Sequence, residues 1–277
     1  MTGHLLTHHN VADRGFTPLK ITVAPNGARR GRKDHQKLPI AIDEIAVTAK
    51  QCADAGADEI HLHVRDAQGM HSLDSGLYRE AIAAIAQTSP DMTVQITTEA
   101  AGVFSVTQQL EVLECLRPRA ASVSVREIAR DIDLAPRLYG VAREADIAVQ
   151  HILYDPSDAA LLAEWQAEGF IAQEGCEVLL VLGRYAPPEV ARVEDLFAFV
   201  SAVAPLCESW TVCAFGKTEH AVACAAMQMG GHVRIGFENN LCRPDGTLAE
   251  DNAENIRRTV SAASAMGRSL LKKASTT

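Results

Sequence analysis

Two short segments of the chain combine ionisable side chains with strict alternation of polar and apolar residues. Residues 61–66 read His-Leu-His-Val-Arg-Asp, and residues 232–239 read His-Val-Arg-Ile-Gly-Phe-Glu-Asn. Alternation with a period of two predicts β-strands. The polar face of the first strand carries Glu59, His61, His63 and Arg65, and that of the second carries His232, Arg234 and Glu238. Burying several ionisable groups on one face costs too much free energy for a packing role alone, which indicates a functional site.

His61, His63 and Glu238 have the side-chain types that bind a catalytic divalent metal ion. Two histidines at positions i and i+2, with a distant glutamate, supply three ligands and leave a fourth position open for water or substrate. The set suits Zn²⁺, although Fe²⁺, Mn²⁺ and Co²⁺ accept the same ligands. The structural alternative is that both histidines fill the interior of the fold and form hydrogen bonds to Thr97, Ser124 or a backbone carbonyl.

Strand-like and helix-like segments alternate along the rest of the chain. The predicted strands are residues 20–26, 59–66, 93–99, 120–127, 148–155, 177–183, 209–215 and 232–239. The predicted helices are residues 41–55, 76–87, 107–116, 132–145, 157–168, 193–204, 219–229 and 250–266. Such alternation predicts an α/β fold, a single (β/α)₈ TIM barrel over residues 19–277 with an N-terminal arm over residues 1–18. A doubly wound open sheet is the disfavoured alternative, because residues 25–35 are a poor match to the GxGxxG turn.

A barrel places its active site at the C-terminal ends of its strands. Thr97, Thr98 and Glu99 end the third predicted strand, and Ser124 lies near the end of the fourth. Their hydroxyl groups can hold a substrate carboxylate. Asn26, at the end of the first strand, is a further candidate for substrate binding.

Two other features belong to the same predicted face. Arg234 points inward on the last strand, and a buried arginine requires a carboxylate partner or an anionic substrate. Gly236 removes a side chain from that inward face and is expected to leave room for a ligand. Arg29 begins a basic stretch, residues 29–33, that follows the first strand and can contact phosphates.

Composition excludes several functional classes. A formal net charge of −9 argues against a general nucleic-acid binder. No apolar run approaches the roughly 20 residues of a membrane span, and the N-terminus lacks the apolar core of a signal peptide, so a cytoplasmic location is expected. Seven cysteines without a CxxC pair indicate neither a disulfide framework nor a structural zinc cage.

The motifs ITVAPNGARR, AGADEIHLHVRD, QITTEA and GGHVRIGFENN together resemble the β-keto acid cleavage enzymes, over about residues 19–270. The resemblance implies a zinc-binding barrel, a homo-oligomer (dimer or tetramer), that condenses a β-keto acid with acetyl-CoA to give acetoacetate and a new acyl-CoA. It implies that His61, His63 and Glu238 bind the zinc ion and that Arg234 belongs to the catalytic network. It also implies that Thr97, Thr98 and Ser124 lie near the substrate carboxylate.

The chain departs from the family pattern where a base is expected. The strand-eight motif of the family commonly continues Glu-Asp-Asn, whereas this chain has Asn239, which cannot accept a proton at neutral pH. The glutamate expected on strand five is also missing, with His151 and Ile152 in that region. Arg234, Asn239 and Glu99 are therefore the candidate catalytic residues, with Glu99 or His151 as replacement base.

Two alternative functions remain compatible with these residues. One is a zinc-dependent hydrolase or retro-aldol lyase that acts without coenzyme A. The other is a catalytically silent metal-binding barrel, with Asn239 marking the loss of activity.

Overall fold

The computed structural model describes residues 16–185 and 187–271. The strands are β1 (Ile21–Val23), β2 (Glu59–Leu62), β3 (Val64–Arg65), β4 (His71–Ser72), β5 (Thr93–Thr97), β6 (Ala120–Ser124), β7 (Ala148–Leu153), β8 (Glu177–Leu182), β9 (Ser209–Ala214) and β10 (His232–Ile235). The helices are α1 (Ile42–Ala55), α2 (Ser75–Thr88), α3 (Val106–Leu116), α4 (Val125–Ile128), α5 (Ala135–Glu144), α6 (Asp158–Ala167), α7 (Val193–Val203), α8 (Glu219–Gln228) and α9 (Asn252–Ala265), with a 3₁₀ helix over Ala129–Leu134.

Eight of these strands form a closed parallel barrel in the order β1-β2-β5-β6-β7-β8-β9-β10, and β10 pairs again with β1. The helices surround it, so the predicted (β/α)₈ barrel is confirmed. Most of the predicted N-terminal arm, residues 1–15, lies outside the described residues, and the division at residue 18 stays a prediction. Within the part of the chain that the structure describes, no helix has the length and apolar character needed to cross a membrane.

The strands separate an apolar layer from a polar interior. In β2, Ile60 and Leu62 are fully buried in the main apolar cluster, which also contains helix residues such as Ile45 and Tyr78. Burial of one such side chain stabilises the fold by about 1.5–3 kcal/mol. The alternate residues of the strand are polar, and Glu59 accepts a hydrogen bond from Thr22 Oγ1 at 2.9 Å. The alternation that predicted the strands therefore separates the packing face from the chemical face.

Several helices begin at side chains that cap them. Asp74, Ser105 and Asp251 each accept a hydrogen bond from the backbone N–H three residues later. Each cap satisfies a backbone donor that has no partner within the helix and contributes about 1 kcal/mol. These caps fix where α2, α3 and α9 start relative to the strands before them.

The two segments with alternating ionisable residues are shorter strands than predicted. Strand β2 ends at Leu62, and the backbone oxygen of His63 accepts a hydrogen bond from Asn26 Nδ2 at 3.1 Å. The chain then forms the antiparallel β3–β4 hairpin, which periodicity did not reveal. Strand β10 ends at Ile235, and a turn follows in which the backbone N–H groups of residues 239 and 240 both donate to Gly236 O. Glu238 therefore projects from a turn.

The expectation that Gly236 leaves room for a ligand is wrong. Its φ of +151° is one that side chains rarely adopt, and a Cβ there would lie 2.3 Å from the backbone oxygen of Ala24. The space beside Gly236 is occupied by the backbone that follows β1. The glycine is required so that the chain can pass close to Ala24 and turn toward the barrel mouth.

The substitution Gly236→Ala should lower the free energy of unfolding by about 1–3 kcal/mol, because it adds a clash in a strained backbone conformation. Gly140→Ala is the matched control, since a Cβ at Gly140 would meet nothing within 4 Å. The control should be neutral or raise stability by up to about 1 kcal/mol, because it removes a glycine from α5. Urea unfolding followed by circular dichroism measures both, and equal stabilities would contradict the close approach.

Candidate metal centre and active site

Three side chains converge at the C-terminal mouth of the barrel. His61 comes from β2, His63 follows that strand, and Glu238 comes from the turn after β10. The two histidine Nε2 atoms lie 3.1 Å apart, and each lies 3.7 Å from Glu238 Oε2. All three residues are buried. Tertiary structure thus brings Glu238 to two histidines that precede it by 175 and 177 positions in the chain.

Both histidines are neutral. Burial, together with neighbouring positive groups, lowers the pKa of His61 and of His63 well below the ordinary value. His61 Nδ1 donates a hydrogen bond to Gln95 Oε1 at 2.8 Å, so the lone pair of Nε2 faces Glu238. A neutral imidazole with its Nε2 lone pair directed at a carboxylate oxygen is the form that binds metal.

The donor set fits a divalent cation. Glu238 Oε2 and His63 Nδ1 are buried and have no hydrogen-bond partner among the described residues. Zinc ligands lie about 2.0–2.2 Å from the ion, so two ligands at tetrahedral positions are separated by roughly 3.3–3.6 Å. The separations of 3.1 and 3.7 Å between these three atoms are close to that range. A cation would also satisfy the carboxylate oxygen that the protein leaves without a partner.

A chain of hydrogen bonds inside the barrel supports His61. Gln95 Nε2 donates to Gln150 Oε1 at 3.3 Å, and Gln150 Nε2 donates to Thr211 Oγ1 at 3.2 Å. The chain fixes the orientation of the Gln95 amide and therefore that of the His61 ring. Sequence reasoning missed Gln95, although it lies two residues before Thr97 on the same face of β5.

The loop after β1 packs against Glu238. Gly27 has a φ of +62°, and a Cβ there would lie 2.5 Å from Glu238 Cγ. The Arg65 guanidinium donates to Gly27 O and to Arg30 O, and Arg30 Nη1 donates to Phe237 O at 2.7 Å. Two arginines therefore hold the β1 loop and the turn after β10 together around the glutamate.

Glu219 holds the same turn from the other side. Its Oε1 accepts a hydrogen bond from Gly236 N at 3.1 Å, and its Oε2 accepts one from Asn240 Nδ2 at 3.3 Å. Burial raises the pKa of its carboxyl to about 8. Sequence reasoning missed this residue too, because an acidic residue in the first turn of a helix is common without any function.

Two of the three metal-binding candidates, His61 and Glu238, border a cavity of about 270 Å³ at the barrel mouth. Arg234 lines it and is buried, with Nη2 at 3.4 Å from Glu238 Oε1 and 3.3 Å from Cys213 Sγ. Its Nε and Nη1 have no partner within residues 16–185 and 187–271. A buried guanidinium with unpaired donors beside the cavity is suited to bind an anionic group of a substrate.

Glu99 also lines the cavity. Its Oε2 lies 3.9 Å from His63 Nε2, and its Oε1 lies 3.8 Å from Arg29 Nη2. Burial and the nearby carboxylates of Glu238 and Glu127 raise the pKa of Glu99 to about 7. Of the two candidate replacement bases, Glu99 is the one that lines the cavity. His151 does not line the cavity: it stacks on Tyr139 toward the helix layer.

The other predicted site residues fall into two groups. Thr97 and Arg29 line the cavity, and Thr97 Oγ1 accepts a hydrogen bond from Glu99 N. Asn26, Thr98 and Ser124 are engaged with the protein itself, through hydrogen bonds to backbone groups, and do not line the cavity.

Asn239 also stays off the cavity lining. It is fully buried, and neither polar atom of its side chain has a partner in the part of the chain that the structure describes. Arg30 Nη2 and Gly216 N donate to its backbone oxygen. A catalytic role for Asn239, and substrate-binding roles for Asn26, Thr98 and Ser124, stay predictions.

Comparison with known proteins identifies the family. The profile of the beta-keto acid cleavage enzymes matches residues 18–276. The 3-keto-5-aminohexanoate cleavage enzyme of Fusobacterium nucleatum is 31% identical over 260 residues, which cover 91% of this chain and 93% of that protein. The 3-oxoadipate:acetyl-CoA acetyltransferase of Cupriavidus necator is 25% identical over 260 residues, which cover 91% of this chain and 90% of that protein.

The fold also matches solved structures. The complex of ObcA with oxaloacetate aligns with a TM-score of 0.65 and 14% identity, covering 86% of this chain and 66% of that chain. This chain therefore spans about two thirds of the length of that structural neighbour. At this identity the likeness concerns the fold alone.

The substitution Gln95→Leu should weaken binding of Zn²⁺ by about 10–100-fold, because His61 loses the acceptor that fixes its tautomer and ring orientation. Competition with a chromophoric chelator on the metal-free protein measures the dissociation constant without any assay of activity. Gln109→Leu is the control, since Gln109 is a buried glutamine that instead donates to Thr98 O and Glu127. Unchanged affinity in Gln95→Leu would show that the hydrogen bond does not support the metal ligand.

Proposed function

Because the chain belongs to the beta-keto acid cleavage enzyme family, whose members cleave carbon–carbon bonds and transfer acyl groups, we propose its reaction and its metal. The protein condenses a β-keto acid with acetyl-CoA, and the products are acetoacetate and a new acyl-CoA. Zn²⁺ bound by His61, His63 and Glu238 is the cofactor. The observation that carries the proposal is the convergence of this neutral histidine pair and Glu238 beside Arg234, whose Nε and Nη1 have no partner among the described residues.

The residues of the chain have complementary tasks in this reaction. Held by His61, His63 and Glu238, Zn²⁺ would supply a Lewis acid for the keto oxygen and would favour the enolate over the ketone. Arg234 directs its unpaired N–H groups toward the substrate carboxylate or the developing oxyanion. Glu99 accepts the proton that leaves the α-carbon, and Thr97 contributes a hydroxyl beside it.

The proposed reaction exchanges one carbon–carbon bond and one thioester bond in two stages. The α-carbon of the β-keto acid, after loss of its proton, forms a bond to the acetyl carbon of acetyl-CoA, and coenzyme A leaves as the thiolate. The thiolate then attacks the original keto carbon, and the bond between that carbon and the α-carbon breaks. The α-carbon and carboxylate of the β-keto acid leave with the acetyl group as acetoacetate, and the α-carbon regains a proton. The remaining acyl group stays on coenzyme A.

Arg29 is the proposed contact for the phosphates of coenzyme A. Its side chain is half exposed at the cavity mouth, whereas Arg30 binds backbone carbonyls and Arg32 is paired with Glu44. Lys33 is exposed in the same loop and can assist. A homo-oligomer (dimer or tetramer) and a cytoplasmic location belong to the same proposal, from the resemblance and the composition respectively.

The purified protein should form acetoacetate only when acetyl-CoA and a β-keto acid are both present. His61→Ala should lose bound zinc and lower turnover by more than about 100-fold, because one of three ligands is gone. His220→Ala, which removes a histidine on α8 outside the cavity, is the control and should keep both zinc and activity. Metal analysis and a coupled acetoacetate assay measure the two quantities.

Each other result points to an alternative function. Turnover of a substrate without any thiol would indicate a hydrolase or retro-aldol lyase. Stoichiometric zinc without turnover of any substrate would indicate a silent metal-binding barrel. Full activity of metal-free His61→Ala would end the zinc mechanism.

The substitution Glu99→Gln should lower kcat by about 10²–10⁴-fold and leave zinc content unchanged, because it removes the proposed proton acceptor and keeps its shape. Glu127→Gln is matched to it, since Glu127 is a second partly buried carboxylate that lines the same cavity. We expect less than a tenfold effect there. Equal effects of the two substitutions on kcat would assign the role to the charge of the cavity instead of to Glu99 as base.

A further inference from the structure

The cavity at the barrel mouth has two chemically different sides. His61, Glu238, Glu99 and Arg234 line one side. The other side comes from the ends of β7, β8 and β9 and consists of Ile152, Val181 and Phe215. Ile152 and Val181 belong, with Leu179 and Cys213, to a small apolar cluster that is separate from the main core. We call Ile152, Val181 and Phe215 the apolar wall.

Aromatic residues extend the apolar wall. Tyr154, which follows β7, packs against the apolar cluster, and Tyr185 contacts Phe215 edge to face with ring centroids 4.5 Å apart. Tyr185 Oη is buried and has no hydrogen-bond partner within the described residues. The two tyrosine hydroxyls therefore tolerate a neutral oxygen of a bound molecule, whereas the side chains of Ile152, Val181 and Phe215 offer carbon atoms only.

Two of the four arginines that line the cavity, Arg126 and Arg184, are already paired, whereas Arg234 and Arg29 are assigned above to the reacting end of the substrate and to coenzyme A. Arg126 donates to the carboxylates of Asp155 and Asp158, both outside the cavity lining. Arg184 forms an ion pair with Glu189 at 2.8 Å. These charges are neutralised by the protein, so a second carboxylate on the substrate would have to displace an existing partner.

Glu127, a carboxylate that lines the cavity, is also engaged. Its Oε2 accepts hydrogen bonds from Ala100 N and from Gln109 Nε2, both at 2.9 Å. Glu99 and Arg29 face each other across 3.8 Å. An ammonium group on the substrate would thus meet the apolar wall, the Glu127 carboxylate, whose Oε2 already accepts two hydrogen bonds, or the Glu99 carboxylate, which faces Arg29.

We propose, on the basis of the function proposed above, that the β-keto acid carries an uncharged, largely aliphatic side chain that lies against the apolar wall. A charged group there would lose its hydration without gaining a partner, at a large cost in free energy. The cavity volume of about 270 Å³ limits the chain to a few carbon atoms beyond the keto group. Typical ligand pockets, of about 300–1,000 Å³, hold drug-sized molecules.

Three β-keto acids with the same six-carbon chain test the proposal. They are 3-oxohexanoate, which has a neutral side chain, 5-amino-3-oxohexanoate, which has a cationic one, and 3-oxoadipate, which has a second carboxylate. The value of kcat/KM for acetoacetate formation with acetyl-CoA should be at least about 100-fold higher for the neutral acid than for either charged acid.

The possible results separate this inference from the proposed function. A preference for the cationic acid, for the anionic acid, or no preference would overturn the inference and leave the function intact. In the first case Glu127 or Glu99 would bind the ammonium group, and in the second an arginine would bind the carboxylate. No acetoacetate from these acids or from shorter neutral ones would overturn the proposed function and, with it, the inference.

Substitutions of Ile152 test the wall itself. Ile152→Asp should shift the ratio of kcat/KM values by at least tenfold toward 5-amino-3-oxohexanoate, whereas Ile152→Val should keep the wild-type ratio. If Ile152→Asp does not fold, Ile152→Ala is the second test. It enlarges the cavity beside the wall without adding a charge, and it should shift the preference from 3-oxohexanoate toward the longer 3-oxooctanoate. An unchanged preference in folded Ile152→Asp or Ile152→Ala would show that the side chain does not lie against this wall.

Discussion

The buried contact of Glu238 with His61, His63 and Arg234 is the constraint on which the rest of the molecule depends. A carboxylate without solvent is unstable unless positive charge lies close to it, and Arg234 alone contacts only one of its two oxygens. Burial keeps the histidines neutral, so they cannot supply that charge. A divalent cation between His61, His63 and Glu238 would resolve this imbalance, and the separations of their ligand atoms are close to those that such an ion requires.

Much of the surrounding structure serves to place one turn. Glu238 does not belong to a strand, so no ladder of hydrogen bonds holds it. Gly27 permits close contact with its side chain, Arg65 and Arg30 join the two loops, and Glu219 binds the turn from the opposite side. Polar side chains also replace apolar packing in part of the barrel interior. Each of them needs hydrogen-bond partners there, and the chain of hydrogen bonds from His61 to Thr211 supplies them.

The cavity divides chemical from recognition functions along the barrel. The strands that supply the metal-binding residues and the buried arginine, β2 and β10, flank β1. The strands that supply the apolar wall, β7 to β9, follow β10 around the barrel, and β9 pairs with β10. Because these two sets of residues come from different strands, a substitution in the wall would change which substrate side chain the cavity accepts without moving His61, His63 or Glu238. On β7, Ile152 makes that side of the cavity apolar.

The sequence by itself determined the barrel, the family and the residues His61, His63, Glu238 and Arg234. Period-two alternation follows directly from strand geometry, and ionisable residues on a buried face are rare enough to indicate a site. The predicted second and eighth strands ran past Leu62 and Ile235, where β2 and β10 end. The alternation of polar and apolar residues continues into turns that are defined by distant partners such as Asn26 and Glu219. Tertiary structure alone decided the roles of Gln95 and Gly236 and the apolar wall, since each depends on atoms brought close by barrel closure.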